Sequence, residues 1–136
     1  MSKIVKEFTY KNRKCIVCLN HKKCNFDHYL TAYALIPELE ELYDKEVEQE
    51  PDMFKRMDLP LHDFFNCGGN CTWFGKLFLD NPEYDDKLFC GIDLAHFYNF
   101  EYGTNLDVDE AENDIKALVD YLEEYYGEWE KKDETK

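Results

Sequence analysis

The sequence predicts a single α+β domain, in which a mainly antiparallel β-sheet carries a long C-terminal helix on one face and a short helix in the middle. Short runs rich in β-branched and aromatic residues occur near the N-terminus and again between residues 70 and 93. A helical repeat of apolar residues follows residue 107. The 136 residues contain no internal repeat and no linker. We therefore expect one domain over residues 1–129 and a frayed tail over residues 130–136.

The N-terminal third is predicted to form three strands. Residues 3–10 alternate in a pattern typical of a strand, and the polar break at 11–14 predicts a hairpin turn before a return strand at 15–19. Residues 20–28 are polar and basic, which favours a loop, and residues 29–36 form a third apolar run. One face of the first strand is expected to carry alternate residues, namely Ile4, Lys6, Phe8 and Tyr10.

The middle of the chain predicts one short helix. Apolar residues recur at helical spacing within residues 38–47, and Pro51 ends the pattern. Residues 52–65 are rich in apolar side chains without a clear period, so the sequence leaves their structure open, apart from a helical turn before Pro60. The face of the short helix expected to pack inwards comprises Leu39, Leu42, Tyr43 and Val47.

Two further strands and a helix complete the prediction. Residues 70–79 and 87–93 have the composition of strands, and the cluster of turn residues at 80–86 favours an antiparallel pair. Asp107, followed three residues later by Glu110, is typical of a helix N-terminus. The stripe expected to face the core from this last helix is Ala111, Ile115, Leu118, Leu122, Tyr125 and Trp129.

Charge is distributed unevenly along the chain. The net charge of −14 combines +5 over residues 1–36 with −19 over residues 37–136. Such an acidic surface repels nucleic acid, so no direct nucleic-acid binding is expected, whereas a basic groove on another protein would be attracted. A plainer alternative is that the charge keeps a small protein soluble. The carboxylates proposed as a protein-binding surface on the last helix are Asp114, Asp120, Glu123 and Glu124.

Two further features predict where the protein resides. No apolar run approaches the length of a membrane span, and the first residues lack the apolar core of a secretion signal. We therefore expect a cytoplasmic protein without a membrane partner. Six cysteines in such a chain are expected to be free thiols rather than disulfides.

Two groups of cysteine and histidine invite a metal interpretation. In the first group, Ile16 and Val17 separate two cysteines and favour an extended strand, on which residues three apart point to opposite faces. Buried thiols are therefore favoured over zinc there, and the second group matches no standard zinc spacing. A thiol nucleophile with a histidine base is a further reading of the second group. We expect no metal and no cofactor. The groups are Cys15, Cys18, His21 and Cys24, and Cys67, Cys71, Cys90 and His96.

A candidate ligand site lies where the predicted strand at residues 87–93 ends. Asp93 and His96 follow this apolar run among aromatic residues, which would suit a planar ligand held by stacking and a few hydrogen bonds. The structural alternative is that Asp93 caps a turn and His96 bonds a backbone carbonyl. The residues proposed to bind the ligand are Gly68, Gly69, Trp73, Asp93, His96 and Tyr98.

Two motifs, Gly-Gly-x-x-Thr-Trp and Gly-Ile-Asp-x-Ala-His, occur in this order in the chain. In them the chain resembles a family of small bacteriophage and prophage proteins, which has His-Gly-Gly-x-Thr-(Tyr/Trp) and Gly-(Ile/Phe)-Asp-x-Ala-His. Cys67 stands where that family has His, and Leu94 where it has Cys. The resemblance brings no catalytic residues. The matching pieces are residues 10–15, 35–37, 67–73, 90–96 and the predicted helix at 107–126.

The resemblance implies a phage accessory protein made in the cytoplasm of an infected bacterium, where such proteins often counter host defences. Together with the acidic surface, it favours a non-enzymatic, anti-CRISPR-like inhibitor that binds a host protein such as a nuclease. The first alternative is a binder that sequesters a nucleotide signal in the aromatic pocket, and the second is a hydrolase that uses His96 and Asp93. Self-association through a sheet edge or Trp129 is a further partner hypothesis.

Overall fold

A computed structural model of the protein describes residues 3–23, 26–67, 71–93 and 107–126. The strands are β1 (Lys3–Tyr10), β2 (Arg13–Lys23), β3 (Phe26–Leu35), β4 (Trp73–Leu77) and β5 (Lys87–Asp93). A 3-10 turn (Pro37–Leu39) precedes α1 (Glu40–Gln49), α2 (Met53–Arg56) and α3 (Pro60–Cys67), and α4 (Val108–Glu124) comes last.

All five strands pair antiparallel in one sheet with the order β1-β2-β3-β5-β4. The predicted α+β class, with its antiparallel sheet and long C-terminal helix, is therefore confirmed. The middle of the chain holds three short helices instead of one. Because β5 returns beside β3, β4 lies at an edge of the sheet, and the three short helices gather near that edge.

The predicted hairpin between the first two strands is confirmed. Its two turn residues, Lys11 and Asn12, have φ angles of 50° and 63°. Positive values at both positions are what a two-residue type I′ turn requires, and asparagine tolerates them well. The turn places Tyr10 opposite Arg13 and so fixes the register of β1 on β2.

The predicted loop over residues 20–28 is wrong. β2 continues to Lys23 and β3 begins at Phe26, and the two strands remain paired from Asn20 and Tyr29 outwards. Strand pairing uses backbone groups, which every residue other than proline supplies, so a polar composition does not by itself end a strand. The polar composition of residues 20–28 therefore did not indicate where β2 ends and β3 begins.

A β-bulge in β1 changes which residues share a face. Ile4 pairs with Cys18, whereas Lys6 pairs with Val17, so one extra residue of β1 is inserted between them. Ile4 consequently packs with the buried cluster that contains Cys18, while Phe8 packs with the cluster on the other face of the sheet, which contains Cys15. The prediction that Ile4 shares a face with Lys6 and Phe8 is wrong, because alternation along a strand is interrupted at a bulge.

The main core lies between the sheet and α4. The helix begins at Asp107, whose carboxylate accepts hydrogen bonds from the backbone N–H groups of Asp109 and Glu110, as the sequence predicts. Tyr125 is 40% exposed, so the buried stripe ends at Leu122 within the described residues; Trp129 and the predicted tail at 130–136 lie outside them. The residues of α4 buried against the sheet are Ala111, Ile115, Leu118, Val119 and Leu122.

A smaller core covers part of the opposite face of the sheet. Tyr84, from the turn between β4 and β5, is 2% exposed and packs with Phe89 of β5. Its hydroxyl donates a hydrogen bond of 2.6 Å to Glu7 of β1. The predicted turn at residues 80–86 is thus more than a connection, because its tyrosine fills the space beneath the central strands.

The sequence predicted the helices in the middle of the chain only in part. Leu39 is buried, as predicted, but Leu42 is 38% exposed, so the predicted inward face of α1 is only partly correct. α2 begins after Asp52, whose side chain accepts hydrogen bonds from the next turn. The stretch that the sequence left open, residues 52–65, contains α2 and most of α3.

Candidate ligand-binding site

A cavity of about 520 Å³ opens beside the edge strand β4. Its walls come from β4 on one side and from α1, α2 and α3 on the other. A volume in this range is typical of sites for small organic ligands. We call it the edge cavity; its lining comprises Tyr43, Met53, Arg56, Met57, His62, Phe65, Asn66, Cys71, Thr72, Trp73, Phe74, Gly75, Lys76 and Phe78.

One wall of the edge cavity is a cluster of aromatic rings in mutual contact. Tyr43 of α1 stacks on His62 of α3 with ring centroids 5.3 Å apart and an interplanar angle of 25°. Phe74 of β4 meets the edge or face of both rings and stacks on Phe65 at 4.2 Å. Rings that restrain one another in this way form a rigid apolar surface suited to a planar ligand.

The mouth of the cavity is lined by apolar side chains that the fold leaves accessible. Trp73 is 43% exposed, Met53 58% and Phe78 78%. The indole lies back along β4, because its N–H donates a 3.2 Å hydrogen bond to the carbonyl oxygen of Gly75. Large apolar groups around a concavity are typical of binding sites rather than of random surface.

A buried carboxylate holds His62 in place. Glu46 of α1 accepts hydrogen bonds from the backbone N–H groups of Leu61 and His62, at 2.9 Å and 3.0 Å, and so caps the N-terminus of α3. The same carboxylate lies 2.6 Å from Nδ1 of the imidazole. The side chains of Glu46 and His62 are only 12% and 9% exposed. The ring is therefore fixed by both packing and hydrogen bonding.

Two cationic side chains line the cavity. Lys76 of β4 forms an ion pair of 3.2 Å with Asp44 of α1, and this contact raises the pKa of Lys76. Arg56 of α2 donates instead to the backbone carbonyls of Glu50 and Pro51, at 2.9 Å and 2.8 Å. Within the described residues no carboxylate pairs with Arg56, so its positive charge is available to an anion.

Cys71 also lines the cavity, with its thiol donating to the carbonyl oxygen of Trp73 at 3.0 Å. Burial raises the pKa of this thiol. A thiol with a raised pKa is a weak nucleophile at neutral pH, because the reactive form is the thiolate. Cys71 is therefore an apolar lining group in this arrangement.

Only part of the predicted ligand site lies within the described residues. Trp73 lines the edge cavity, but Asp93 does not; it pairs with Thr31 at the end of β5. Trp73 instead pairs with Gly91, as expected for neighbouring strands. The other predicted ligand residues lie outside the described residues: Gly68, Gly69, His96 and Tyr98.

The acidic residues proposed on α4 are placed differently from one another. Asp120 accepts a hydrogen bond of 2.9 Å from Tyr10 and lies 2.7 Å from Lys11. Glu123 lies 3.1 Å from a guanidinium nitrogen of Arg13, and Glu124 is exposed. The hairpin thus already pairs with two of these carboxylates. The fourth, Asp114, is half-buried.

The cysteines follow the strand interpretation where the structure describes them. Cys15 packs in the main core and Cys18 in the smaller core, so the two side chains lie on opposite faces of β2. Burial raises the pKa of Cys15 to about 11 and that of Cys18 to about 12. No group of three potential metal ligands occurs among the described residues; Cys24 lies outside them.

The central features of the edge cavity could not be identified from the sequence. Glu46 and His62 are sixteen positions apart and belong to no motif. The one available signal was the presence of Met53, Phe54 and Met57 in a stretch of polar residues, because large apolar side chains that remain exposed are typical of a binding surface.

Comparisons of the chain with protein-family models, curated proteins and solved structures found no match. Among the helices in the described ranges, none combines the length and the apolar composition needed to span a bilayer. The chemistry of the edge cavity is therefore the basis on which a function is proposed.

Proposed function

We propose that this protein is a non-enzymatic binding protein that holds a nucleotide-type ligand in the edge cavity. The observation that carries the proposal is the joint presence, in a cavity of about 520 Å³, of a rigid aromatic wall and a guanidinium that has no carboxylate partner among the described residues. A planar base would stack on the aromatic side chains that line the cavity, Trp73 among them, and a phosphate would lie near Arg56. Bound in this way, a nucleotide signal would be sequestered.

The charge of the whole molecule makes this cation important. At −14, the protein repels a free phosphate at long range, so binding depends on a local positive charge. Arg56 supplies it from the wall of the cavity, where a guanidinium can make two parallel hydrogen bonds to phosphate oxygens. Binding through Arg56 is expected to weaken as salt is added.

A thermal-shift panel of cyclic and linear nucleotides tests the proposal, because a ligand that binds the folded state raises the melting temperature. Trp73→Ala is expected to weaken binding about fivefold or more, given the strength of base–aromatic stacking. Phe54→Ala is the matched control, since Phe54 is 77% exposed and does not line the cavity. Absence of a shift with every nucleotide would retire the proposal.

A second pair of variants tests the role of the phosphate. Arg56→Gln should weaken binding of a nucleotide but leave binding of the corresponding nucleoside nearly unchanged. Lys55→Gln removes the same charge from the neighbouring residue, which does not line the cavity. Equal losses in the two variants would mean that only the overall charge matters.

A second candidate function is supported by the charge around the cavity. Residues 37–58, which supply one wall, contain nine acidic and three basic residues, a local charge of −6. The same segment exposes the apolar side chains of Met53, Phe54 and Met57. Such a surface suits a basic host protein. The protein would then be a phage-encoded inhibitor of a host defence component. Retention of a basic host protein at low salt by the intact chain, and its loss in Met53→Ser, would favour this candidate.

A further inference from the structure

We infer that the occupant of the edge cavity donates a hydrogen bond to Nε2 of His62, so that its chemical class is a planar heterocycle bearing an N–H or amino group. The inference deepens the proposed function, on which it rests for the location of the site. The hydrogen bond to His62 would recognise the ring of the ligand, whereas Arg56 would bind its phosphate.

The carboxylate of Glu46 determines where the imidazole carries its proton. It already accepts two backbone N–H groups, from Leu61 and His62, and its third neighbour is Nδ1 of His62 at 2.6 Å. A carboxylate accepts hydrogen bonds, so Nδ1 carries the hydrogen in this contact. In the neutral ring the other nitrogen, Nε2, then has a free lone pair and acts as an acceptor.

The surroundings prevent the ring from turning to satisfy Nε2 elsewhere. The side chain of His62 is 9% exposed and lies between Tyr43, which stacks on it, and Phe74, which meets it at 78°. No residue in the described ranges forms a hydrogen bond with Nε2. His62 lines the edge cavity, so a cavity occupant is the partner that the arrangement leaves for this atom.

An acceptor in a mostly apolar cavity selects its ligand. A group that donates a hydrogen bond satisfies Nε2, whereas an occupant without a donor excludes water from this atom and leaves the acceptor unpaired at a penalty. Among planar ligands, those with a ring N–H or an exocyclic amino group are therefore favoured over their N-methylated counterparts. Sites that bond a specific polar group reject analogues lacking it more strongly than apolar pockets reject a change in size.

Benzimidazole and 1-methylbenzimidazole are suitable probes, because they share a planar ring and differ in the ring N–H. Binding would be followed by chemical-shift changes in NMR spectra of the intact protein. We expect benzimidazole to bind about threefold to tenfold more tightly than its methylated form. In His62→Phe, which keeps an aromatic ring, the preference should disappear. A preference that persists in this variant would be due to the size of the methyl group and would overturn the inference.

A second measurement needs no variant. Long-range ¹⁵N–¹H correlation spectra of the unmodified protein distinguish the two imidazole tautomers, and His62→Phe assigns the His62 signals among the four histidines. Hydrogen on Nδ1 alone is expected; hydrogen on Nε2 would overturn the inference. Benzimidazole carries no phosphate, so discrimination between the probes without any nucleotide binding would remove the proposed nucleotide and leave the inference standing. Nucleotide binding without discrimination between the probes would overturn the inference about His62 and leave the proposed nucleotide standing.

Discussion

The ring of Tyr33 on β3 lies against Gly91 on β5, its cross-strand partner. A Cβ atom on Gly91 would come within 2.4 Å of Cδ1 of Tyr33 and 2.7 Å of the carbonyl oxygen of Ala32. The glycine therefore provides the space in which the tyrosine ring covers the centre of the sheet. Burial of this ring raises the pKa of Tyr33 to about 12.

Gly91→Ala is expected to destabilise the protein by about 1–3 kcal/mol, the usual range for inserting a methyl group into a filled core. The backbone oxygen of Ala32 has no room to retreat within the sheet. Urea unfolding would measure the change. Gly75→Ala is the control: its Cβ would lie 3.4 Å from Tyr43 and 3.5 Å from Trp73, which are ordinary contacts. Equal destabilisation by both substitutions would contradict the prediction.

Asp107→Ala should reduce the stability of the fold by about 1 kcal/mol, because it removes the cap of α4. The carboxylate accepts hydrogen bonds from Asp109 and Glu110 at 3.0 Å and 3.2 Å, and no backbone group of the helix replaces them. Asp107→Asn retains the acceptor and should recover most of the loss. If unfolding curves show that Asp107→Asn and Asp107→Ala are equally destabilised, the loss comes from the negative charge of Asp107 and not from capping.

Glu112 on α4 gives a test of the dependence of stability on pH. Hydrogen bonds from Lys6 and then Lys116 lower the pKa of Glu112 below its ordinary value of 4.5. A pKa that is lower in the folded state stabilises the fold above pH 4.5, and this stabilisation is lost as the pH falls towards the folded pKa. Glu112→Gln should therefore lower the melting temperature at neutral pH, and the difference should close in acid.

Glu124→Gln is the control for that measurement. Glu124 is exposed near the end of the same helix and forms no ion pair within the described residues. Its substitution should leave the melting temperature nearly unchanged across the same pH range. A Glu112→Gln difference that stays constant into acid would show that packing, not ionisation, is responsible.

The buried thiols should resist alkylation in the folded protein. With its pKa raised to about 11, Cys15 is ionised only to about one part in a thousand at pH 8, and Cys18 still less. Burial also raises the pKa of Cys90. Mass spectrometry after brief treatment with iodoacetamide should find these three residues unmodified, and all six cysteines modified in urea. Rapid labelling of Cys18 in the native state would disagree with its position in the core.

Periodicity in the sequence was sufficient to predict the elements that face a core along their whole length. α4 was predicted from Ala111, Ile115, Leu118 and Leu122, all of which are buried, because a long helix on a sheet must present one apolar stripe. β5 was predicted with the bounds it has, since a strand buried on both faces is apolar throughout.

The rest depended on interactions that no local pattern contains. The bulge beside Ile4 shifts a register by one residue without any signature in composition. The edge cavity arises where α1, α3 and β4 meet, so the pairing of Glu46 with His62 exists only in the folded chain. Of the site predicted around the end of β5, only Trp73 lines this cavity within the described residues.

The ion pairs of Arg13 at the hairpin affect where an anionic ligand can find a positive charge on the protein. Its guanidinium, 9% exposed, binds the carbonyl of Leu35 and the carboxylates of Glu38 and Glu123, while Lys11 is held by Asp120. Arg13 and Lys11, two of the seven cations in the first 36 residues, are thus paired with carboxylates, and these pairs tie the hairpin to the C-terminal helix. The cations of this corner are therefore neutralised within the fold, whereas Arg56 in the edge cavity has no carboxylate partner among the described residues.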